Sequence, residues 1–335
     1  MNVTAARLGL LGMLLSALLL TGIGTGSSFL GPDRVIAALW GTGERMDMVI
    51  VWTLRLPRVA LAALAGAALA LSGALLQRAT RNPLAAPSVL GITDGAAVGV
   101  LLFLTISSDA ANHLTVPVAW QPAFAGLGAT GFALLVLLLG GRHRADPLRL
   151  LLYGVALAAL AKALVVLLLI VGPVYRASQA LIWLAGSVQA AQGRDVVLLG
   201  SVLGLSLPVL ILLARPLDQL RLDPDSAFAT GLPVAAVRGA ALALAVALAA
   251  GAVSVAGGIG FVGLLAPHAA RLLFGSRAAP QLIGAALLGA AMTTGADLLV
   301  RLAFQPLEVP VGAVTAALGA PFFLWLLNRR GDPHA

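Results

Sequence analysis

Apolar runs of about twenty residues, separated by short polar or basic links, fill the chain from end to end. A run of that length is what an α-helix needs to cross the hydrocarbon of a bilayer. The pattern predicts an all-α integral membrane protein: a single transmembrane domain, 1–335, of about ten helices. The expected spans are Leu8–Ser28, Arg58–Gln77, Asp94–Ser108, Ala123–Gly141, Leu150–Val171, Val196–Ala214, Gly239–Ala256, Ile259–Leu273, Pro280–Leu299 and Val309–Leu327. From Gly239 to Pro267 run 29 residues without a charge, too many for one upright span and too few for two full ones. Gly257-Gly258, with Gly260 beside it, is the expected break, because glycine admits a sharp turn.

The links carry their own signals. Phe29–Thr53 reads as a loop holding a short amphipathic helix at Pro32–Trp40. Asn82–Thr93 contains Pro83, Pro87 and Gly91 and suits no regular helix. Irregular backbone at membrane depth survives only where protein or a cavity surrounds it. Asp94 is placed to cap the third span, with Thr93 as the competing residue. Pro173–Asp195 fits an interfacial helix with Trp183 as a belt residue. Gly66, Ala67, Ala70 and Gly73 suit close helix packing in lipid. The string GAALAL occurs at Gly66–Leu71 and again at Gly239–Leu244, in spans that would run in opposite directions. That hints at an inverted repeat of spans 2–5 and 7–10; against it, Ala, Leu and Gly dominate the whole chain.

Arg215–Arg238 is the polar exception between spans 6 and 7. It holds three arginines and three aspartates, a helix start at Asp225-Ser226 and a Gly-Leu-Pro stop. It reads as a short polar helical hairpin on one face of the membrane. The plain alternative is a connecting loop with an amphipathic helix.

Composition agrees with the pattern. The chain is 60% hydrophobic and 10% charged, with a mean hydropathy of +1.01. Soluble domains carry about 25% charged residues. The absence of cysteine excludes disulfides and thiolate metal sites. The formal charge of +8 comes largely from arginines at the ends of apolar runs, not from a nucleic-acid surface. Thirteen arginines fall on the side of the termini and seven on the other, which puts both termini and the hairpin in the cytoplasm. Lys162 is the only lysine and lies inside an apolar run, so no phosphate-binding loop of the GxxxxGK type is present. Any ATP hydrolysis belongs to another chain.

Four stretches together resemble one family: LRLPR at Leu54–Arg58 leading into GAALALSGALLQ, RNPLAAPSVLGITDGAAVG at Arg81–Gly99, GGIGFVGLLAPHAARLLFG at Gly257–Gly275, and ADLLVRL with PLEVPVGAVTAALGAPFFLWLL within Ala296–Leu327. In order and spacing the chain is similar to permease subunits of the ATP-binding-cassette importers for ferric siderophores, haem and vitamin B12. The resemblance implies the BtuC-like type II importer fold in the bacterial inner membrane, and no resident cofactor. It also implies a second permease copy, identical or a sister chain, two ATPase subunits, and a periplasmic binding protein that delivers the substrate. Ferric siderophore is the substrate expected first, with haem and cobalamin as the others.

Site residues follow from the same resemblance. The hairpin would dock in a groove of the ATPase through Arg221, Asp225, Ser226, Ala227, Ala229, Thr230, Gly231 and Leu232. Small and polar side chains there permit close approach. Arg55, Arg58 and Arg301, at the opposite ends of spans 2 and 9, would meet carboxylates of the binding protein, since the guanidinium fork binds a carboxylate at two points. Their plain reading is as snorkelling residues at the membrane surface. Glu308 or Asp297 would compete for Arg301, the latter at i, i+4 spacing. Lys162 departs from the family, whose fifth span is apolar there. It faces the translocation path and favours an anionic chelate, or pairs with an acid such as Asp94 or Asp297, or snorkels. His268 reads as structural, and His113 and His143 as lone loop histidines.

The competing reading is a proton- or ion-coupled secondary transporter, for which Lys162, Asp94 and Asp297 are the sole buried candidates. An intramembrane enzyme would need an HExxH or Asp-rich motif that the chain lacks.

Overall fold

A computed structural model describes residues 3–26, 28–109, 113–140, 147–171, 174–222, 224–304, 307 and 309–329. These residues are almost entirely helical. Seven helices among them are long and apolar enough to cross a membrane. They are α1 (Val3–Gly24), the helix Arg45–Ala79, α6 (Gln121–Gly140), α7 (Pro147–Val171), α9 (Gly193–Gln219), α11 (Val234–Ala256) and α13 (Ala278–Ala303). Three further predicted spans appear as shorter apolar helices: α5 (Ile92–Ile106), α12 (Val262–Phe274) and α14 (Val311–Arg329). Small helices α2 (Pro32–Leu39), α8 (Val174–Leu184) and α10 (Pro224–Ala229) lie in the links. Length and composition thus support seven spans directly, not the ten expected. At 1.5 Å per residue, α5 and α12 reach only about 20 Å against about 30 Å of hydrocarbon.

The expected loop Phe29–Thr53 is helical from Arg45. A short α3 (Arg45–Val49) passes through a π-helical stretch, Ile50–Arg55, into α4 (Leu56–Ala79). The sequence pattern starts this span at Arg58 because the charge-free run begins there, and Arg55 and Arg58 mask the helix that precedes it. The interfacial helix ends earlier than expected, at Leu184, and Trp183 sits half-buried in a cleft with Gln121 and Gln179. Neither Asp94 nor Thr93 caps α5; Gly91, left-handed at φ 68°, precedes the helix without a side-chain cap.

Helix α4 is the centre of the bundle. Every residue from Ala68 to Ala79 is buried. A helix buried all round has no amphipathic stripe, so packing must come from shape. Gly66 lies against Gly289 of α13: a Cβ there would stand 2.1 Å from the Gly289 carbonyl oxygen. Gly73 meets α12 in the same way, with 1.7 Å to the Gly263 oxygen. The hydroxyl of Thr293 donates to the Ala62 carbonyl at 2.6 Å, and that of Ser72 to the Ala245 carbonyl of α11, also at 2.6 Å. Two small-residue contacts and two hydroxyl bonds tie α4 to three neighbours.

The break between α11 and α12 falls where the glycines place it. Gly257 is left-handed at φ 68°, and a Cβ there would lie 2.2 Å from the Trp183 carbonyl oxygen. Phe261, at φ 64°, starts α12 in a conformation costly for a bulky residue. Its ring packs where Gly319 of α14 leaves room. Gly260 has open space around it and is not required sterically.

Candidate functional site

The polar segment between α9 and α11 sits at the end of the bundle where α4 finishes. It is shorter than expected, because α9 continues to Gln219 with Pro208 and Pro216 inside it. Thr230 ends α10 by donating from its backbone N–H to Ser226 (3.2 Å) and from its hydroxyl to Ala227 (2.7 Å). Gly231 then turns at φ 76°. Ser226, Ala229, Thr230, Gly231 and Arg221 are exposed. Ala227 and Leu232 are buried, as are Leu217 and Leu220. Ala227 and Leu232 therefore pin the hairpin to the bundle and leave its other face outward. The side chain of Asp225 lies outside the described residues, as do His143 and Glu308.

Beneath the hairpin is an arginine cluster. Arg78, 7% exposed, donates to Gln281 Oε1 (2.6 Å), the Ser276 carbonyl (2.7 Å), the Leu217 carbonyl (3.3 Å) and Asp218 Oδ1 (3.3 Å). Asp218 Oδ1 also accepts from the Ala278 backbone N–H at 2.7 Å, at the start of α13. Arg81 takes a left-handed φ of 53° and donates to the Leu220 carbonyl at 3.0 Å and to the Leu222 carbonyl. Arg221 reaches the Ser276 carbonyl at 3.3 Å. Arg78 of α4 thus ties together α9, the α12–α13 link and the start of α13, and Arg81 holds the start of the hairpin. Gln281, an isolated amide in an apolar run, was the signal available in the sequence.

A second cluster occupies the opposite end. Asp297 of α13 is fully buried. Arg58 Nε donates to its Oδ1 at 2.8 Å, and Arg301 Nε lies 3.1 Å from Oδ2, at the expected i, i+4 spacing. Arg301 also donates to the Gly22 carbonyl of α1 at 2.9 Å. Arg55 donates to the carbonyls of Ile23 and Gly24, both at 2.9 Å, and to Ser28. Arg55 and Arg301 are 6% and 8% exposed, and the Arg58 side chain 17%. All three arginines turn inward and fasten α1 to α4 and α13. The exposed two-point fork at this end belongs to Arg34, which grips Asp47 with two bonds of 2.8 Å. Asp47 holds the Arg34 guanidinium above its ordinary pKa through that bonding and its charge.

Lys162 is exposed on α7 within an outward apolar stripe that includes Leu160, Val166 and Ile170. Asp94 lies within electrostatic reach of it, whereas Asp297 is engaged elsewhere. His268 is buried in α12, and no cluster of metal-ligating side chains occurs among the described residues.

Comparison with known proteins places this architecture. The chain is 41% identical to the permease protein YfhA of Bacillus subtilis, named for a siderophore transport system, over 94% of this chain and 92% of that one. It is also 41% identical to CbrC of Dickeya dadantii, an achromobactin transport system permease protein, over 98% and 92% of the two chains. A solved structure described as an inward-facing conformation of a metal-chelate type ABC transporter superposes with a TM-score of 0.85 at 29% identity, covering 97% of this chain and 99% of the other. The FecCD transport family matches residues 14–329. On this full-length agreement of sequence and fold, the chain belongs to the FecCD transport family.

Proposed function

We propose that this chain is the membrane-spanning permease of an ATP-driven importer that receives a ferric siderophore or similar iron chelate from a binding protein and passes it inward. The observation that carries this reading is the full-length likeness to permeases named for siderophore transport.

Ten spans form the path wall in this reading: the seven long helices with α5, α12 and α14. The short α5 and α12 both begin at a left-handed residue, Gly91 and Phe261, after an irregular segment that follows a long buried helix. The helices before them, α4 and α11, pack on each other through Ser72. That correspondence supports an inverted repeat. Arginine bias puts the termini and the hairpin in the cytoplasm of a bacterial inner-membrane protein.

Two ATPase subunits supply the hydrolysis. One engages this chain through the outward face of α10, where Ser226, Ala229, Thr230 and Gly231 permit close approach. Asp225 and Arg221 belong to the same contact in this reading. Rigid attachment through Ala227 and Leu232 lets a push on α10 reach the bundle. The binding protein docks at the opposite end. Arg58 remains partly accessible to it, while Arg55 and Arg301 hold the surface from beneath. A second permease copy faces the α7 stripe. Lipid there would leave the Lys162 ammonium in hydrocarbon at a cost of several kcal/mol, whereas a path between two copies supplies water and anionic cargo.

The test is ATPase activity in liposomes of the chain assembled with its ATPase, with and without a binding protein loaded with ferric siderophore. Stimulation by the loaded protein, with uptake of iron, is expected. Uptake that follows a proton gradient and needs no ATPase would refute the reading.

A further inference from the structure

At the end of the bundle opposite the hairpin lies a cavity of about 440 Å³. Helix α11 leaves the hairpin at Val234 and reaches the cavity with Ser254, close to its far end. The other walls are the start of α6 with Gln121, helix α8 with Gln179 and Trp183, and the link 187–192 with Ser187 and Gln189. Pockets for small ligands span about 300–1,000 Å³, so the space is of that order. Among the described residues lining it, the charged ones are Arg194 and Asp195, which pair with each other at 3.7 Å. Asp195 also accepts from the Gln192 backbone N–H at 2.9 Å, at the start of α9. The hollow is therefore polar without a net charge.

Its wall has hydrogen-bonding capacity to spare. Gln121 is 8% exposed, yet its side-chain amide has no hydrogen-bond partner among the described residues. A buried amide left unpaired is destabilising, and folded proteins seldom keep one without a reason. The cavity is where a partner can reach it. Gln189, half-buried on the link, is likewise unpaired through its side chain among the described residues, and so is the indole N–H of Trp183. Each amide offers two N–H donors and a carbonyl acceptor. The wall that carries these groups is held in place by backbone bonds. The Ser187 N–H donates to the Ala256 carbonyl at 2.9 Å, and the Gly312 N–H of α14 to the Gly186 carbonyl at 3.0 Å. The Gln189 N–H donates to the Ser187 hydroxyl oxygen at 3.3 Å. Gly186, left-handed at φ 77°, lies so close to Gly258 that a Cβ there would stand 2.8 Å from its carbonyl carbon. Donors and acceptors on a fixed wall are in position before a ligand arrives.

We propose that this cavity is a binding site for an uncharged organic group rich in amides and hydroxyls, with Gln121 and Gln189 as its hydrogen-bonding residues and the Trp183 indole beside them. Neutral amides exchange donors and acceptors with such a group. They offer a carboxylate no opposite charge, and Asp195 would repel it. The source of the ligand rests on the importer reading; the site does not. In that reading the group is the uncharged periphery of the chelate as it enters from the side of the binding protein, and charge on the chelate is left to Lys162.

The experiment is saturation-transfer NMR of the full-length permease in detergent micelles, a readout that detects weak binding. The probes are an uncharged gallium(III) trihydroxamate and, as the anionic comparison, gallium(III) citrate; gallium is diamagnetic and stands in for ferric iron. The trihydroxamate is expected to give a saturable signal. Gln121→Leu, a change of similar size, should weaken it about fivefold, as the loss of one neutral hydrogen bond implies. Gln189→Leu, on the half-buried link, should do the same and covers the case in which Gln121→Leu does not fold. Citrate should give no signal that either substitution alters. Absence of a saturable trihydroxamate signal from the wild type would overturn the site, and so would equal affinity in the wild type and both variants. Citrate binding weakened as much as trihydroxamate binding would overturn the uncharged group as the ligand. None of these readouts uses ATP, a binding protein or transport, so their failure and that of the importer reading are separable.

Discussion

Asp297 is the position where a single atom-scale change should be felt most. Its carboxylate is fully buried, 2.8 Å from Arg58 and 3.1 Å from Arg301. At an effective dielectric of about 20, each pair at that range is worth about 5–6 kcal/mol of attraction before desolvation is subtracted. Asp297→Ala removes both attractions and leaves two guanidiniums side by side with no charge between them. Removing one member of a buried ion group costs about 3–5 kcal/mol, because the remaining charges stay buried and uncompensated. The assay is equilibrium unfolding of the purified chain in mixed detergent micelles, followed by tryptophan fluorescence. The companion is the triple variant Asp297→Ala, Arg58→Met, Arg301→Met, which removes the charges together. It should recover most of the loss, since apolar replacement of a whole buried ion group is close to neutral. A single variant within about 1 kcal/mol of wild type would sink the argument, as it lies below the cost expected of any broken buried pair. So would a triple variant no more stable than the single one, because the penalty would then not be electrostatic.

Three further outcomes follow from the structure. Ala229→Trp, on the exposed face of α10, should abolish co-purification with the ATPase while leaving the unfolding midpoint unchanged; Ala227→Trp, fully buried, should lower the midpoint instead. Gly66→Ala would put a methyl group 2.1 Å from the Gly289 carbonyl oxygen and should destabilise the chain by at least about 1–3 kcal/mol in the same unfolding assay. Lys162→Met should leave stability in detergent unchanged or improved, and should slow uptake of an anionic chelate more than that of a neutral one; equal uptake of both would remove Lys162 from the path.

Much of this protein is readable from one dimension, for a definite reason. Inside a bilayer each backbone amide must bond within its own segment, so an apolar run of sufficient length is a helix whatever surrounds it. That is why the runs, the α11–α12 break at Gly257 and the small residues of α4 were visible in the sequence. The turn at Thr230-Gly231 was visible for the same local reason. Helix ends obey no such rule. The π-helical stretch Ile50–Arg55 and the extension of α9 to Gln219 are decided by neighbours, and both moved the expected boundaries.

Charged residues show the limit most clearly. The sequence places Arg55, Arg58 and Arg301 at span ends, and a span end looks the same whether its arginine faces water or protein. Only tertiary packing brings Asp297, Gly22 and Ser28 to meet them and makes their side chains an internal clasp. The same holds at the other end, where Arg78, Arg81, Arg221 and Arg271 come from residues up to 193 positions apart and meet around one cavity. A guanidinium can reach in any direction on its flexible stem, so its partner is chosen by which helices lie beside it. Hydrophobic pattern determined the helices of this chain, and the packing of those helices determined what its arginines do.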